Sequence, residues 1–415
     1  MSNWAIQICI LLAASNLFGQ VAKKIGQSKV VGEIFAGIIL GPTIYGSFFS
    51  GTSFDIFKPE SLHVIAGLSE LGLMLLMFEV PWHAPRITDE KFQKIAPGLI
   101  ALSGIGVSFL IGCLIGFFSK TALAPDKPLL PYMLFCGIAL SVTALPVLVR
   151  IVREFNNISA KASAISLSAA VYTDVFAWIG LTLVLTAQLS SAQSLEAGLI
   201  RFTGLFGLIV VAMWLIKPML KLYISASKND HAKLFIAISL CFSFAQLTSW
   251  LGFHQAIGAV LAGYVFFGIP GVAEAWKKTI SGCADFLLTP VFFAYSGLQV
   301  SLIFSDGLSI WAWLCILVIG GCFGKIFGSY VASRLIGLDK ATSLEVGVLM
   351  NTKGLVELVV LGVGLQTGIL SGAAYSVLLL LALISTALTV PLISLINGTV
   401  SKPDNQYREI GRTSV

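Results

Sequence analysis

Charge is what this sequence has least of. Asp, Glu, Lys and Arg make up 11% of its 415 residues while 57% are hydrophobic, and a soluble domain carries about a quarter charged. A soluble globular protein is therefore excluded. The seven cysteines (9, 113, 136, 241, 283, 315 and 322) are scattered through apolar segments with no CxxC pair, which argues against a zinc site or a disulfide framework. The four histidines, His63, His83, His231 and His254, sit in or beside loops and do not cluster, so they offer no metal constellation. There is no HExxH, no GxSxG and no Ser and His paired within apolar runs, so intramembrane enzyme chemistry has no support. No cofactor and no nucleic-acid partner is implied. Met1-Ser-Asn-Trp-Ala lacks a basic n-region and a small-residue cleavage site, so the first apolar run is expected to be a retained span. The polar stretch 398–415 is expected to be a short cytoplasmic tail, too small for a GxGxxG nucleotide-binding unit.

What the chain has instead is long apolar runs. Stretches long enough to cross a bilayer lie near 3–22, 30–48, 61–80, 95–118, 131–153, 160–187, 197–222, 232–249, 253–268, 284–303, 308–336, 342–365 and 373–397, thirteen in all. With the N-terminus outside, alternate loops collect most of the 26 Lys and Arg, from Lys23, Lys24 and Lys29 to Lys402, Arg408 and Arg412. The other side keeps only Lys58, Lys120, Lys127 and Arg201. That bias marks the basic side, and the C-terminus, as cytoplasmic. The expected fold is an all-α polytopic membrane protein.

Thirteen spans permit a six, one, six division in which a single linking helix inverts the second half relative to the first. Ser141-Val-Thr-Ala-Leu145 in the fifth span and Asn351-Thr-Lys-Gly-Leu355 in the twelfth occupy matching positions and interrupt apolar helices with polar or small residues. Unwound backbone at bilayer depth is tolerated only where it is buried in protein or lines a cavity. Two matched interruptions therefore point to a binding site built from broken helices.

Asp174 lies inside an apolar run from about Ile165 to Leu185. A carboxylate at that depth takes up a proton, takes up a cation or finds a basic partner; exchanged against one another, these options describe a transport cycle. The bland alternative is a hydrogen bond to a neighbouring helix. Lys325, flanked by glycines in Gly321-Cys-Phe-Gly-Lys-Ile-Phe-Gly328, is expected to pair with Asp174, the deepest acid available to it. Lys353 is expected to offset half-helix C-terminal dipoles or to pair with Glu357 four residues on. Thr143 and Thr173 supply hydroxyl oxygens suited to a partly dehydrated alkali cation. Glu79 and Glu345 are expected to reach interfacial water as structural groups, and Glu33 to be interfacial or an interhelical partner.

These stretches, together with Gly32-Glu-Ile-Phe-Ala-Gly-Ile-Ile-Leu-Gly-Pro42, Ala169-Ala-Val-Tyr-Thr-Asp-Val-Phe-Ala-Trp178, Gly258-Ala-Val-Leu-Ala-Gly263, Pro290-Val-Phe-Phe-Ala-Tyr-Ser-Gly-Leu298 and Leu349-Met-Asn-Thr-Lys-Gly-Leu-Val-Glu-Leu358, resemble the monovalent cation:proton antiporter-2 family. The last is similar to its plant CHX-type and bacterial Kef-like members. The resemblance implies the sodium/proton antiporter fold with two crossed broken helices. It implies a homodimer whose core (about 95–187 and 308–397) moves in elevator fashion against a dimerisation scaffold (about 1–80 and 197–303). It implies exchange of sodium or potassium for protons, with Asp174 as the ion and proton carrier, taking a monovalent cation only, and Lys325 facing it. Ser141 to Ala144 match the first crossover and Lys353 the second, with Asn351 and Glu357 in support. A bacterial inner membrane is the expected location. Many relatives have Asp or Asn immediately before the carrier, where this chain has Thr173; one-for-one electroneutral exchange is then the expectation.

Two rival readings stay open at this stage. Lys325, Lys353 and half-helix N-termini could hold an organic anion, which proteoliposomes without organic solute would reveal. A channel or sensor that kept the fold but lost coupling would pass ions without a counter-gradient of protons. Sodium against potassium has no spacing signature here.

Overall fold

A computed structural model describes residues 4–49, 56–57, 61–83, 90–155, 157–189, 192–226, 229–300 and 308–397. The expected tail 398–415 and the loop charges Lys58, Arg86 and Lys228 lie outside the described residues. All regular structure among the described residues is helical.

Helices α1 (Trp4–Lys24) and α2 (Lys29–Leu40) form the first packed pair, and Ser28 Oγ caps α2 by accepting from the Val30 N–H at 3.3 Å. Short α3 (Tyr45–Phe49) precedes α4 (His63–Phe78), which runs into Glu79 and the single turn α5 (Val80–His83). Next come α6 (Glu90–Leu123), then α7 (Leu129–Ser141) and α8 (Leu145–Glu154), parted at residues 142–144. Helix α9 (Ala160–Leu189) carries Asp174. Helix α10 (Ala192–Val210) continues through a π-helical turn, Val211–Ile216, into α11 (Lys217–Ala226). Helix α12 (Asp230–Trp250) starts on an Asn229 cap and α13 (Gln255–Phe266) on a His254 cap, whose Nδ1 accepts from the Ala256 N–H at 3.2 Å. Short α14 (Val272–Trp276) and π-helical turns at Lys277–Ser281 and Ala284–Leu288 lead into α15 (Thr289–Leu298). The chain closes with α16 (Leu308–Leu335), α17 (Lys340–Met350), α18 (Leu355–Gln366) and α19 (Gly372–Asn397); α17 and α18 are parted at residues 351–354.

Nine helical segments among the described residues are long and apolar enough to cross a membrane, and Gln255–Phe266 and Ala284–Leu298 are shorter apolar helices. Large apolar side chains such as Leu110, Phe118, Trp214, Leu222 and Ile319 face outward, which a soluble monomer avoids and a hydrocarbon solvent favours. The protein is an integral membrane protein. The most apolar window of the α7–α8 segment is 89% buried, against 11% for Ile200–Ile224, so the first broken helix is interior and the α10–α11 segment peripheral.

The helices pack in two groups. Helix α6 lies along α16 and α7, with α9, α17, α18 and α19 completing that group. In the other, α2 packs on α1 and α15, and α4 on α13 and α15, with α12 beside α13. The seam between α2 and α15 is tight because glycines face each other across it: a Cβ on Gly37 would sit 1.9 Å from the Ala294 carbonyl oxygen, and one on Gly297 would sit 2.1 Å from that of Ile34. The groups meet where α8 touches α2, α4 and α5, where α9 touches α10, where α19 touches α2 and where α18 touches α15.

Candidate ion site at two crossed helix breaks

A helix that stops inside a protein leaves its last carbonyls without intrahelical partners, and they carry the negative end of its dipole. Helix α7 stops at Ser141. The Ile138 carbonyl is satisfied locally, by the Val142 N–H at 3.2 Å and Ser141 Oγ at 2.9 Å. The next three carbonyls are served by two lysines, both fully buried. Lys353 Nζ donates to Ala139 at 2.8 Å and to Leu140 at 3.2 Å, and Lys325 Nζ donates to Ser141.

The second break is closed by the first. Thr143 Oγ1 donates to the Met350 carbonyl at 2.8 Å, and the Ala144 N–H donates to the Thr352 carbonyl at 2.9 Å. From α19, Thr386 Oγ1 accepts from the Lys353 N–H at 3.1 Å and donates back to the Lys353 carbonyl at 2.5 Å. Asn351 Nδ2 reaches Cys322 Sγ at 3.4 Å, while its Oδ1 is buried without a hydrogen-bond partner. Gly354 leaves room for the crossing: a Cβ there would stand 2.7 Å from Val147 Cγ2 and 3.1 Å from Ala144 Cβ. Both interruptions read from the sequence are thus real breaks, and they cross.

Asp174 sits on α9 beside this crossing, buried, with Oδ1 lacking any hydrogen-bond partner. It opens onto a cavity of about 240 Å³, room for several water molecules, between Leu145, Val171, Met213, Val260 and Tyr264, with His254 at its edge. Apart from Asp174, His254 and Tyr264, the described lining is apolar. A dry wall raises the cost of leaving the carboxylate charged and alone, and so sharpens its demand for a proton or a cation.

One expectation needs correcting. Lys325 is not in ion-pair contact with Asp174; its ammonium is bound to the Ser141 carbonyl. The reason is competition: three unpaired carbonyls at a helix end form a ready acceptor, and backbone acceptors leave no mark in a sequence. Lys353 does both jobs expected of it, bonding the helix end and standing 3.5 Å from Glu357 Oε1. Thr173 Oγ1 donates to the Ala170 carbonyl of its own helix at 2.8 Å. Neither Thr173, Thr143 nor Ser141 lines the Asp174 cavity. The structure therefore gathers Ser141, Thr143, Ala144, Lys325, Asn351, Lys353 and Glu357 at the crossing and sets Asp174 at its flank.

Glu79 and Glu345 do not reach interfacial water; they are 2% and 4% exposed. Glu79 binds Arg153, Trp276 Nε1 at 2.8 Å and Ser281 Oγ at 2.6 Å. Glu345 accepts from Ser159 Oγ at 2.5 Å and from Asn397 Nδ2 at 3.0 Å. Glu33 is an interhelical partner of Arg150, at 3.6 Å. Sequence reasoning passed over Thr386, His254 and Tyr264. A hydroxyl in the last apolar run and a His at a short span were the only signals available.

A family model described as "Sodium/hydrogen exchanger, transmembrane" matches residues 9–396. The chain is 31% identical to Cation/H(+) antiporter 17 of Arabidopsis thaliana over 99% of this chain and 50% of that protein. It is also 31% identical to the Na(+)/H(+) antiporter NhaS4 of Synechocystis sp., over 93% of this chain and 95% of that one. It thus spans about half the length of the plant relatives it matches and nearly all of the cyanobacterial one. The fold is that of the sodium proton antiporter MjNhaP1 of Methanocaldococcus jannaschii, with a TM-score of 0.64 at 16% identity over 95% of this chain and 97% of that one. With a family match across nearly its whole length, the chain belongs to the sodium/hydrogen exchanger family.

Proposed function

We propose that the chain exchanges a monovalent cation for protons across a membrane, with Asp174 holding one or the other in turn. One observation carries the reading: a buried carboxylate with an oxygen left unpartnered faces a cavity beside two crossed helix breaks. The relatives' names, one a cation/H(+) and one an Na(+)/H(+) antiporter, agree with it. The cation is sodium or potassium. The organic-anion alternative loses its footing, because both buried lysines already hold carbonyls and Lys353 also faces Glu357.

The proposed architecture has thirteen crossings in a six, one, six arrangement. The core is 95–187 with 308–397, the scaffold 1–80 with 197–303; the dense packing within each helix group and the few contacts between them support this division. The scaffold would form a homodimer, and the N-terminus lies outside. The bacterial inner membrane expected from the sequence belongs to this proposal, with relatives in both a plant and a cyanobacterium.

The test is Asp174→Asn in proteoliposomes with an imposed pH gradient. Cation-driven dequenching should vanish while the variant stays folded and elutes as the parent does. Full cation-dependent proton movement in that variant would sink the assignment.

A further inference from the structure

We propose that Arg150 and Arg153 form a cytoplasmic latch that ties the half-helix α8 to the other helix group and must open before Asp174 can face the cytoplasm. The proposal rests on the exchange reading above and on its division into core and scaffold.

Helix α8 starts at Leu145, which lines the Asp174 cavity, and ends at Glu154. Its last turn is bound to the opposite group by four ion pairs and by two hydrogen bonds to Glu154. Arg150 Nη2 lies 3.6 Å from Glu33 on α2, and its Nη1 lies 3.7 Å from Asp285 in the turn before α15. Arg153 Nη1 stands 3.0 Å from the same Asp285 oxygen, and Nη2 binds Glu79 at the end of α4. Glu154 is braced by Arg150 Nε at 2.9 Å, and its Oε2 accepts from Ser28 Oγ at 2.7 Å and the Lys29 N–H at 2.9 Å. Glu33 and Glu79 side chains are 5% and 3% exposed and the two arginines 9% and 16%. These pairs are screened from solvent and are not the weak surface kind.

The opposite end differs. Glu70, Ser249, Phe253, His254 and Gln255 line a hollow of about 340 Å³ at the turn between α12 and α13, and His254 also lines the Asp174 cavity. One residue thus borders both spaces. Among the described residues, no ion pair joins the two groups at that end. The structure therefore has a void beside Asp174 towards the α12–α13 turn and a bonded seal towards the Arg150 end, the end that the loop charges mark as cytoplasmic. A core that carries Asp174 from one side to the other must part Arg150 and Arg153 from Glu33, Glu79 and Asp285.

The experiment uses a cysteine-free chain carrying Val175→Cys, a cavity-lining position, labelled with a membrane-impermeant maleimide in right-side-out and inverted vesicles. In the parent, labelling should come chiefly from the outside. With Arg150→Gln and Arg153→Gln together, labelling from the cytoplasmic side should rise about tenfold, as when the bonds favouring one of two states are removed. Unchanged sidedness in the folded variant overturns the latch. Should that variant fail to fold, Ser28→Cys with Glu154→Cys is bridged by a short reducible bis-thiosulfonate. Exchange should stop and return on reduction; undiminished exchange in the bridged protein overturns the proposal. Labelling does not depend on transport, so a failure of Asp174→Asn to abolish exchange would tell against the exchange reading and leave the sidedness result standing.

Discussion

Lys325, on α16, and Lys353, in the break between α17 and α18, converge on consecutive carbonyls of one helix end: Lys353 on Ala139 and Leu140, Lys325 on Ser141. Two ammonium groups meet because each answers the same concentration of unpaired backbone oxygens. Glu357, 3.5 Å from Lys353 and fully buried, supplies the nearest compensating charge.

Lys353→Met should therefore damage the fold first. It strands a buried carboxylate and two carbonyls, and breaking a buried pair on one side costs about 3–5 kcal/mol. Thermal unfolding in detergent should show a large drop in Tm, and adding Glu357→Leu should restore part of it. Equal Tm values for Lys353→Met and the parent would refute the capping role.

Gly354→Ala tests the closeness of the crossing. The new methyl meets Val147 Cγ2 at 2.7 Å, and overpacking of this kind costs about 1–3 kcal/mol. Val147→Ala in the same chain should recover much of the lost Tm. Rescue is the informative outcome, since a general loss of flexibility at Gly354 would not respond to trimming Val147.

Competition for Asp174 fixes a sign for pH dependence. If proton and cation exclude one another at one carboxylate, lowering pH raises the apparent KM for the cation, at most about tenfold per pH unit. A series of dequenching assays with sodium and with potassium at several pH values reads this directly. A KM that stays flat across the range in which exchange changes would mean that the two ions use separate groups.

Asp339 offers a control away from the site. Its carboxylate caps α17 by accepting from the Thr342 N–H at 3.0 Å, and that bond holds its pKa below the usual carboxylate value. A lowered folded-state pKa contributes stability above the unfolded value of about 3.9, and this is lost as pH falls through the folded one. Asp339→Ala should cost up to about 1 kcal/mol near neutrality, and the difference from the parent should disappear in strong acid. Exchange should be unaffected.

The breaks at 142–144 and 351–354 were legible in the sequence, because polar and small residues inside apolar runs are rare unless backbone must unwind there. Asp174 was legible for a related reason: a lone acid in such a run stands out. The partner of Lys325 was not, since hydropathy and spacing report side chains, and its acceptor is a backbone carbonyl. Arg150 and Arg153 close the apolar run 131–153, where hydropathy reports their charge and the end of the span and nothing of the acids they meet. In fact α8 carries them inward against Glu33, Glu79 and Asp285. Depth misled for Glu79 and Glu345 too, since neighbours such as Trp276 and Asn397 come from far along the chain and cover what position alone would leave wet.

Gly37 and Gly297 let α2 and α15 touch backbone to backbone, with no side chain at those two positions that could rotate to make slack. Contact that close leaves those two helices little room to slide past one another. Any slip plane has to run elsewhere, along surfaces where side chains still separate the main chains.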